Sequence, residues 1–298
     1  MTEGGGPGPV TVRSLIEATS ADFEGASLVF GHGTDNAWDE ATLLVLTVAE
    51  LEDDLANLDR PLGETKVSAV HKLARRRVET RTPLAYLLGH CWYHGLRFEI
   101  EAGLVVPRSP IGELLEQGCE PWLEAAPEHI LDLCTGTGCL GILAAHCWPD
   151  AAVTLVELDA RAAAVARRNV TAHGLLDRVV VLEGDLFEPL AKEASFDLIL
   201  ANPPYVDAGD MSSLPPEFRH EPSLGLAGGD DGLDLVRRIV DEGQQRLSAR
   251  GLLVCEVGMS APALLRAYPA LPFFWPEFEA GGEGVFLLGP AVPGSDLT

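Results

Sequence analysis

The chain has 298 residues, of which 47% are hydrophobic, and 45 acidic against 21 basic residues give it a formal net charge of −24. A chain this acidic repels nucleic-acid phosphates, which disfavours DNA or RNA as a direct substrate and favours a basic protein partner, although a generally acidic surface explains the charge equally well. No apolar run reaches the roughly 18 residues that span a bilayer. Its six cysteines form no C-x-x-C pair, so the sequence predicts a cytoplasmic protein with reduced thiols and no membrane span.

The N-terminal part of the chain is predicted to be helical. Residues 1–9, MTEGGGPGP, lack the basic and apolar regions of a signal peptide and are expected to form a flexible tail. The segment WDEATLLVLTVAELEDDLANL predicts an amphipathic helix of about 20 residues. With VRSLIEATSADFEGASLVFGHG before it and VSAVHKLARRRVETR after it, it predicts a helical domain over residues 10–88, which we expect to recognise the substrate.

The pattern then changes twice. Aromatic and β-branched residues with glycines at 95 and 103, in CWYHGLRFEIEAGLVVPR, predict a β-hairpin linker over residues 89–112. From 113 to 290 strand and helix patterns alternate, which predicts an α/β domain with a doubly wound, mostly parallel sheet, and residues 291–298 are expected to be a C-terminal tail. Two short runs near the C-terminus bring the expected sheet to seven strands, the other five being HILDL, AVTLVEL, RVVVLEG, FDLILA and GLLVCEVG.

A glycine-rich turn follows the first of these strands, in ILDLCTGTGCLGI. Gly136 and Gly138 allow a tight turn and the close approach of a ligand, and with Gly141 they match the dinucleotide pattern G-x-G-x-x-G, which alone is a weak signal. Asp132, two residues before the turn segment, suits a cationic ligand and does nothing useful for a pyrophosphate. S-adenosylmethionine carries an ammonium and a sulfonium but no phosphate, so the turn favours it as the cofactor.

Acidic residues also follow the next two predicted strands. Glu157 closes its strand 19 residues beyond Gly138, where it could accept hydrogen bonds from ribose hydroxyls, whereas Asp159 fits the N-cap of the next helix. Asp185 could accept from an adenine amino group, with Leu186 or Phe187 packed on the ring. Each carboxylate alone could be a turn residue or a cap, but together they lie where ligands of such sheets bind.

The fourth strand ends in the tetrad NPPY, which is Asn202, Pro203, Pro204 and Tyr205. A planar nitrogen is a poor nucleophile, because its lone pair is delocalised. The Asn202 side-chain oxygen and the Pro203 carbonyl can each accept one N–H of such an NH2 group and so orient it, while the prolines hold the carbonyl rigid and Tyr205 can stack on the acceptor. The tetrad therefore predicts methyl transfer to an amide or aromatic amine. An ordinary proline-rich loop is the alternative.

At this point the sequence resembles the class I, adenosylmethionine-dependent N5-glutamine methyltransferases of the HemK/Prm type. The resemblance rests on RTPLAYLLGHCWYHGLRFEI, LVVPRSPIGELLE, DLCTGTGCLGI, VELD, NPPY and EPSLGLAGGDDGLDLVRRI. It implies a helical domain, a β-hairpin linker and a Rossmann-like methyltransferase domain, with the acceptor glutamine at residues 202–205 and no metal. Family members often have aspartate where this chain has Glu157. The cofactor residues that the resemblance implies are Cys134, Thr135, Gly136, Thr137, Gly138, Glu157, Leu186 and Asn202.

Two branches of the family differ after the hairpin. The release-factor branch typically reads P-R-P-x-T-E, whereas PRSPIGELL here resembles the branch that methylates a glutamine of large-subunit ribosomal protein L-three. A basic ribosomal protein is therefore the expected substrate, with the G-G-Q tripeptide of release factors as the alternative. An adenine-N6 nucleic-acid methyltransferase and a non-catalytic binding module are the other hypotheses. Arg108 could either close the cofactor pocket or anchor the linker through an ion pair.

Overall fold

The computed structural model describes residues 9–279 and 281–290, which form two compact units. One unit contains the described chain up to His90 together with Pro215–His220. The other contains Cys91–Leu214 and the described residues from Glu221 onward. Apart from Pro9, the tails expected at 1–9 and 291–298 lie outside the described residues. None of the helices in the described ranges is long and apolar enough to cross a membrane.

Four helices build the first unit: α1 (Val12–Gly25), α2 (Ala37–Ala49), α3 (Glu64–Thr80) and α4 (Leu84–Leu88). Their apolar faces meet in one core, in which the side chains of Ile16, Phe23, Leu44 and Val70 are fully buried. The helix that the sequence predicted over about 20 residues is shorter, because α2 ends at Ala49. There Glu50 turns into the left-handed conformation (φ 56°), and the Leu51 N–H donates to the Leu46 carbonyl (3.0 Å) to close the helix.

A buried charge cluster ties Pro215–His220 into the helical unit, which the sequence did not indicate. Arg77 on α3 is fully buried, and its Nε lies 2.7 Å from Glu40 Oε1 on α2. Its Nη1 lies 3.7 Å from Oε1 of Glu217, which is also fully buried. The same Glu217 oxygen accepts from the Val29 N–H (3.1 Å) and from Arg81 Nη1 (3.2 Å). Since the side chains of Arg77, Glu40 and Glu217 are buried, each charge depends on its partners.

Replacing Arg77 by alanine is therefore expected to lower the free energy of unfolding by about 3–5 kcal/mol, because the buried Glu40 would lose the guanidinium beside it and the buried Glu217 would keep Arg81 but lose Arg77. Urea denaturation followed by circular dichroism measures the loss. Arg76 lies on the same helix and is exposed, so Arg76→Ala is the matched control and should change stability by no more than about 0.5 kcal/mol. Equal effects of the two substitutions would contradict the assignment.

The second unit begins with a hairpin and continues into a six-stranded sheet. The hairpin strands are β1 (His90–Tyr93) and β2 (Leu96–Glu99). In the larger sheet the strand order is β5-β4-β3-β6-β7-β8, and all neighbours are parallel except the antiparallel pair β7–β8. Its strands are β3 (His129–Leu133), β4 (Ala152–Glu157), β5 (Val179–Glu183), β6 (Phe196–Ala201), β7 (Leu247–Glu256) and β8 (Val285–Leu288).

The mostly parallel α/β sheet is confirmed, but the expected seventh strand is not formed in the described residues. The first of the two short C-terminal runs provides only an isolated bridge between Phe274 and Leu287. Pro272 and Pro276 flank that residue, and a proline has no N–H to donate to a ladder. The helices of this unit are α5 (Ile111–Glu116), α6 (Cys139–Cys147), α7 (Ala160–Ala172), α8 (Ala208–Ser213), α9 (Asp234–Arg246) and α10 (Ala261–Ala267).

The register of the sheet brings several strand ends to one level. Leu133 of β3 pairs with Val156 of β4 on one side and with Ala201 of β6 on the other, and Ala201 pairs with Cys255 of β7. The chain runs outward from β3 to β5 and then returns to β6 beside β3, so the strand order reverses at β3. The carboxyl ends of the strands at such a reversal are where ligands of doubly wound sheets bind.

Candidate active site

A cavity with about 1140 Å³ of empty space, part of it open to solvent, lies at these strand ends within the second unit. Its wall combines residues that follow β3, β4, β5 and β6 with residues of the segment after the hairpin. Most of the residues predicted from the sequence to bind a ligand lie on this wall: Cys134, Thr135, Gly136, Thr137, Glu157, Asp185, Leu186, Asn202 and Pro204. The structure thus brings together side chains from four separate strand ends.

The glycine turn has the backbone conformation that its sequence predicted. Gly136 (φ 58°) and Gly138 (φ 90°) both lie in the left-handed region that favours glycine, and Cys134 (φ 54°) shares it without being a glycine. A Cβ added to Gly136 would meet nothing within 4 Å, so the backbone there borders free space. Gly138 does not line the cavity, and a Cβ on it would lie 3.2 Å from Ile142. It therefore serves close packing behind the turn.

Asp132 is not on the cavity wall, which corrects the expectation that it meets the cationic ligand directly. It is fully buried, and its Oδ2 accepts hydrogen bonds from the Gly141 N–H (2.9 Å) and from the Thr135 hydroxyl. Its Oδ1 has no hydrogen-bond partner among the described residues. Burial raises the pKa of this carboxyl to about 7. Asp132 therefore holds the turn against the start of α6 from behind.

Glu157 lies on the wall and also supports the turn. Its Oε2 accepts from the Gly136 N–H (2.7 Å) and its Oε1 from the Asp159 N–H (2.9 Å), and burial raises the pKa of the carboxyl. Each carboxylate oxygen keeps a further lone pair that a ligand hydroxyl can use. Asp159 accepts from the Arg161 N–H (2.8 Å) as the N-cap of α7, which confirms its interpretation as a cap.

The end of β5 contributes Asp185 and Leu186 to the wall. Asp185 Oδ1 accepts from Arg238 Nη1 on α9 (3.0 Å). Leu186 is buried and has a φ of 49°, so its backbone turns sharply under the cavity. Phe187, the other candidate for packing on a ring, belongs to the hydrophobic core against α9 and does not line the cavity.

The tetrad starts directly after β6, where the strand was predicted to stop. Asn202 and Pro204 line the cavity, whereas Pro203 is buried behind them. Tyr205 is half-buried and does not line this cavity; its hydroxyl donates to Glu256 Oε1 (2.5 Å). Over residues 9–279 and 281–290, no hydrogen bond is found for the Asn202 side chain. Its amide is thus available to a ligand.

Arg108 forms the ion pair that the sequence suggested and also lies on the cavity wall. Its guanidinium donates to both carboxylate oxygens of Glu221, at 2.6 and 2.7 Å, and it also lines the cavity. Glu221 in addition accepts from the Val106 N–H (2.8 Å). The ion pair therefore fixes the segment after the hairpin as one side of the cavity.

Two polar residues of the site were missed in the sequence. Asn169 on α7 is buried, and its amide bonds to Glu99 of β2 (2.8 and 3.1 Å) and to the Thr137 carbonyl (2.9 Å), so it joins the hairpin to the turn. A polar residue inside a helix gave no signal for this. Glu256 ends β7 and could have been found, since it lies near the end of a predicted strand, as Glu157 does. None of the described residues forms a cluster of His, Cys, Asp or Glu that could hold a metal ion.

The raised pKa of Asp132 predicts a pH dependence of stability. Between about pH 4 and pH 7 the folded protein keeps a proton on Asp132 that the unfolded chain has released. The unfolded chain binds fewer protons there, so this group makes the free energy of unfolding fall as pH rises, by an amount on the order of a few kcal/mol. Urea denaturation across this pH range should show a smaller fall for Asp132→Asn. The control Asp150→Asn, an exposed turn residue, should follow the unsubstituted protein; if all three behave alike, the assignment is wrong.

Comparisons with known proteins cover nearly all of the chain. The family model described as "methyltransferase small domain" matches residues 117–215. The ribosomal protein uL3 glutamine methyltransferase of Burkholderia pseudomallei is 44% identical over 95% of this chain and 97% of its own length. Proteins with the same name from Bordetella pertussis (44% identity, 93% of this chain and 94% of that one) and Francisella tularensis (40%, 93% and 90%) are similar to it too.

The fold also resembles solved structures of low sequence identity. The catalytic domain of hMettl16 in complex with MAT2A 3′UTR hairpin 1 is 16% identical and has a TM-score of 0.53, covering 84% of this chain and 92% of that one. The same domain with hairpin 6 has a TM-score of 0.51, covering 81% and 88%. At this identity the likeness shows a shared methyltransferase fold and nothing about the acceptor.

Proposed function

Because the chain belongs to the family of the ribosomal protein uL3 glutamine methyltransferases, we propose that it methylates a glutamine of uL3, the L-three protein of the large ribosomal subunit. The methyl donor is S-adenosylmethionine, and the acceptor atom is the side-chain amide nitrogen, N5. One observation carries the proposal: Asn202 and Pro204 border the same cavity as the glycine turn. An acceptor amide at the tetrad is thereby placed next to a donor bound at the turn.

The wall of the cavity fits this donor better than a dinucleotide. Its ionisable side chains include the carboxylates of Glu157, Asp159 and Asp185, of which Asp185 is paired with Arg238, whereas the guanidinium of Arg108 is paired with Glu221. Such a wall favours a ligand with positive charge and hydroxyl groups and disfavours a pyrophosphate. We assign Glu157 to the ribose diol and Asp185 to the adenine amino group, and Leu186 adds an apolar side chain to the same wall.

When bound, S-adenosylmethionine supplies an electrophilic methyl group on its sulfonium. The glutamine nitrogen would form the new N–C bond as the C–S bond breaks and S-adenosylhomocysteine leaves, and it would lose one proton to solvent water as its charge develops. The Asn202 side-chain oxygen and the Pro203 carbonyl accept the two N–H bonds of the amide and so aim its lone pair. Pro203 and Pro204 are buried and restrict the backbone, so little order is lost when the amide binds. Tyr205 follows them just outside the cavity wall, and we assign to its ring the flat surface beside the acceptor.

The expected charge of the substrate is opposite in sign to the net charge of this chain. A ribosomal protein is basic, and it meets a chain with a net charge of −24, so electrostatic attraction assists the encounter. We place recognition of the partner in the helical unit and the reaction in the cytoplasm.

The assignment predicts where a radiolabelled methyl group goes. The purified protein should label free uL3, and the label should disappear when the target glutamine of uL3 is changed to alanine. Release factors and unmethylated DNA, offered in parallel, should stay unlabelled. Label on release factors alone would support glutamine methylation but refute uL3 as the substrate. Label on DNA alone would refute glutamine as the acceptor.

Asn202→Ala should separate binding from chemistry. Removal of the amide leaves the turn, Glu157 and Asp185 in place, so calorimetry should find S-adenosylmethionine affinity largely retained. Methyl transfer to uL3 should fall by at least about 100-fold, because the acceptor nitrogen loses one of the two groups that orient it. Transfer at the normal rate by this variant would refute the role of the tetrad.

A further inference from the structure

We propose that Glu256 is a positioning residue for the methyl transfer, because it fixes the ring of Tyr205 before the acceptor glutamine binds. The inference rests on the proposed function and adds to it a residue that does not line the cavity. It follows from the register of the sheet, from the hydrogen bonds of one buried carboxylate and from the space around one aromatic ring.

The register places Glu256 beside the tetrad. Ala201, the last residue of β6, pairs with Cys255 of β7, so Asn202, which follows β6, lies at the same level as Glu256, the last residue of β7. Glu256 is only 6% exposed and therefore does not act as a surface charge.

Both oxygens of this carboxylate accept hydrogen bonds from hydroxyl groups. Tyr205 Oη lies 2.5 Å from Oε1, and Ser109 Oγ lies 2.5 Å from Oε2. Hydrogen bonds from a hydroxyl to a carboxylate are short and strong, and they strengthen where water is excluded. A single buried group thus joins the last residue of the tetrad to the wall segment after the hairpin, to which Ser109 belongs.

The other end of Tyr205 is held as well. Its carbonyl accepts from the Ser260 hydroxyl (3.0 Å). A Cβ on Gly258 (φ 47°) would lie 2.6 Å from Cε2 of the tyrosine ring, and a Cβ on Gly232 (φ 76°) would lie 2.3 Å from the tyrosine carbonyl. Two glycines in the left-handed region therefore let the surrounding backbone close directly on this residue.

These contacts give Tyr205 one orientation. Its backbone is fixed by Ser260, its ring by the glycine backbone and its hydroxyl by Glu256. The carboxylate is the contact that decides rotation of the ring away from the tetrad, since it holds the atom farthest from the backbone. A ring that is already oriented costs no order when the acceptor stacks on it, and misplacement of a positioning group by about 1 Å can cost about 100-fold in rate.

Substitutions at Glu256 can separate geometry from charge. Glu256→Asp keeps the charge but shortens the side chain by one methylene, so it cannot reach both hydroxyls. Glu256→Gln keeps the length and loses the charge. If Glu256 acts by position, Glu256→Asp should lower kcat for uL3 methylation about tenfold or more with little change in KM, and Glu256→Gln should retain more activity than Glu256→Asp. The opposite order would overturn the proposal.

A double-substitution cycle shows whether the effect passes through the tyrosine hydroxyl. Tyr205→Phe should lower kcat by about as much as Glu256→Asp. The double variant should lose no more activity than either single variant, rather than the product of the two losses. Losses that multiply would mean that Glu256 acts elsewhere, for example by stabilising the fold. Asp241→Asn is the control, because Asp241 also accepts from a tyrosine hydroxyl, that of Tyr268 (2.8 Å), away from the cavity; it should leave kcat unchanged.

A readout without substrate keeps this inference separate from the proposed function. The chain contains four tyrosines, so 3-fluorotyrosine labelling gives four fluorine signals, and Tyr205→Phe assigns one of them. Glu256→Asp should shift that signal, whereas Asp241→Asn should shift the signal of Tyr268. An unmoved Tyr205 signal would overturn the inference whatever the enzyme methylates. If the unsubstituted protein labels no glutamine in uL3, the proposed function fails instead.

Discussion

The pairing of β3 with β6 is the constraint on which the site depends. Leu133 and Ala201 are partners in that ladder, so the glycine turn and the tetrad, 68 residues apart in their starting positions, leave the sheet side by side. The parallel neighbours β4 and β7 bring Glu157 and Glu256 to the same level. A slip of one residue between β3 and β6 would turn side chains to the other face of the sheet and separate donor from acceptor.

Three carboxylates near these strand ends stabilise the loops around the cavity, a role that their positions in the sequence do not indicate. Asp132 holds the turn from behind, Glu157 holds the Gly136 amide, and Glu256 holds Tyr205. Burial raises the pKa of all three carboxyls, which is the signature of groups kept from water. Hydrogen bonds from backbone amides and hydroxyls offset that desolvation, and in doing so they immobilise the loops that border the cavity.

Most of the α/β sheet and the ligand wall could be predicted, because strand and turn patterns are local. Five strands, the turn at Gly136 and the end of β6 at Ala201 follow from apolar runs, glycines and prolines. Most of the features that were not predicted depend on contacts between residues that are distant in the sequence. The sequence places Asp132 beside the ligand, but in the structure the start of α6 covers it. The residues around Glu217 give no indication of its partner Arg77, which lies 140 residues earlier. The early end of α2 is set by the left-handed conformation of Glu50, a non-glycine residue whose sequence does not indicate a helix end.

The chemistry explains why so much of the site is rigid. An amide nitrogen is a weak nucleophile, so in the proposed reaction the rate depends on how well its lone pair is aimed. Two prolines restrict the backbone of the tetrad, and Glu256 and Ser260 hold the tyrosine that follows them. A mobile tetrad could bind the same glutamine, but the entropy lost in ordering the tetrad would offset part of the binding energy that otherwise stabilises the transition state. The buried carboxylate beside a half-buried tyrosine is therefore part of the catalytic arrangement, although it lies outside the cavity.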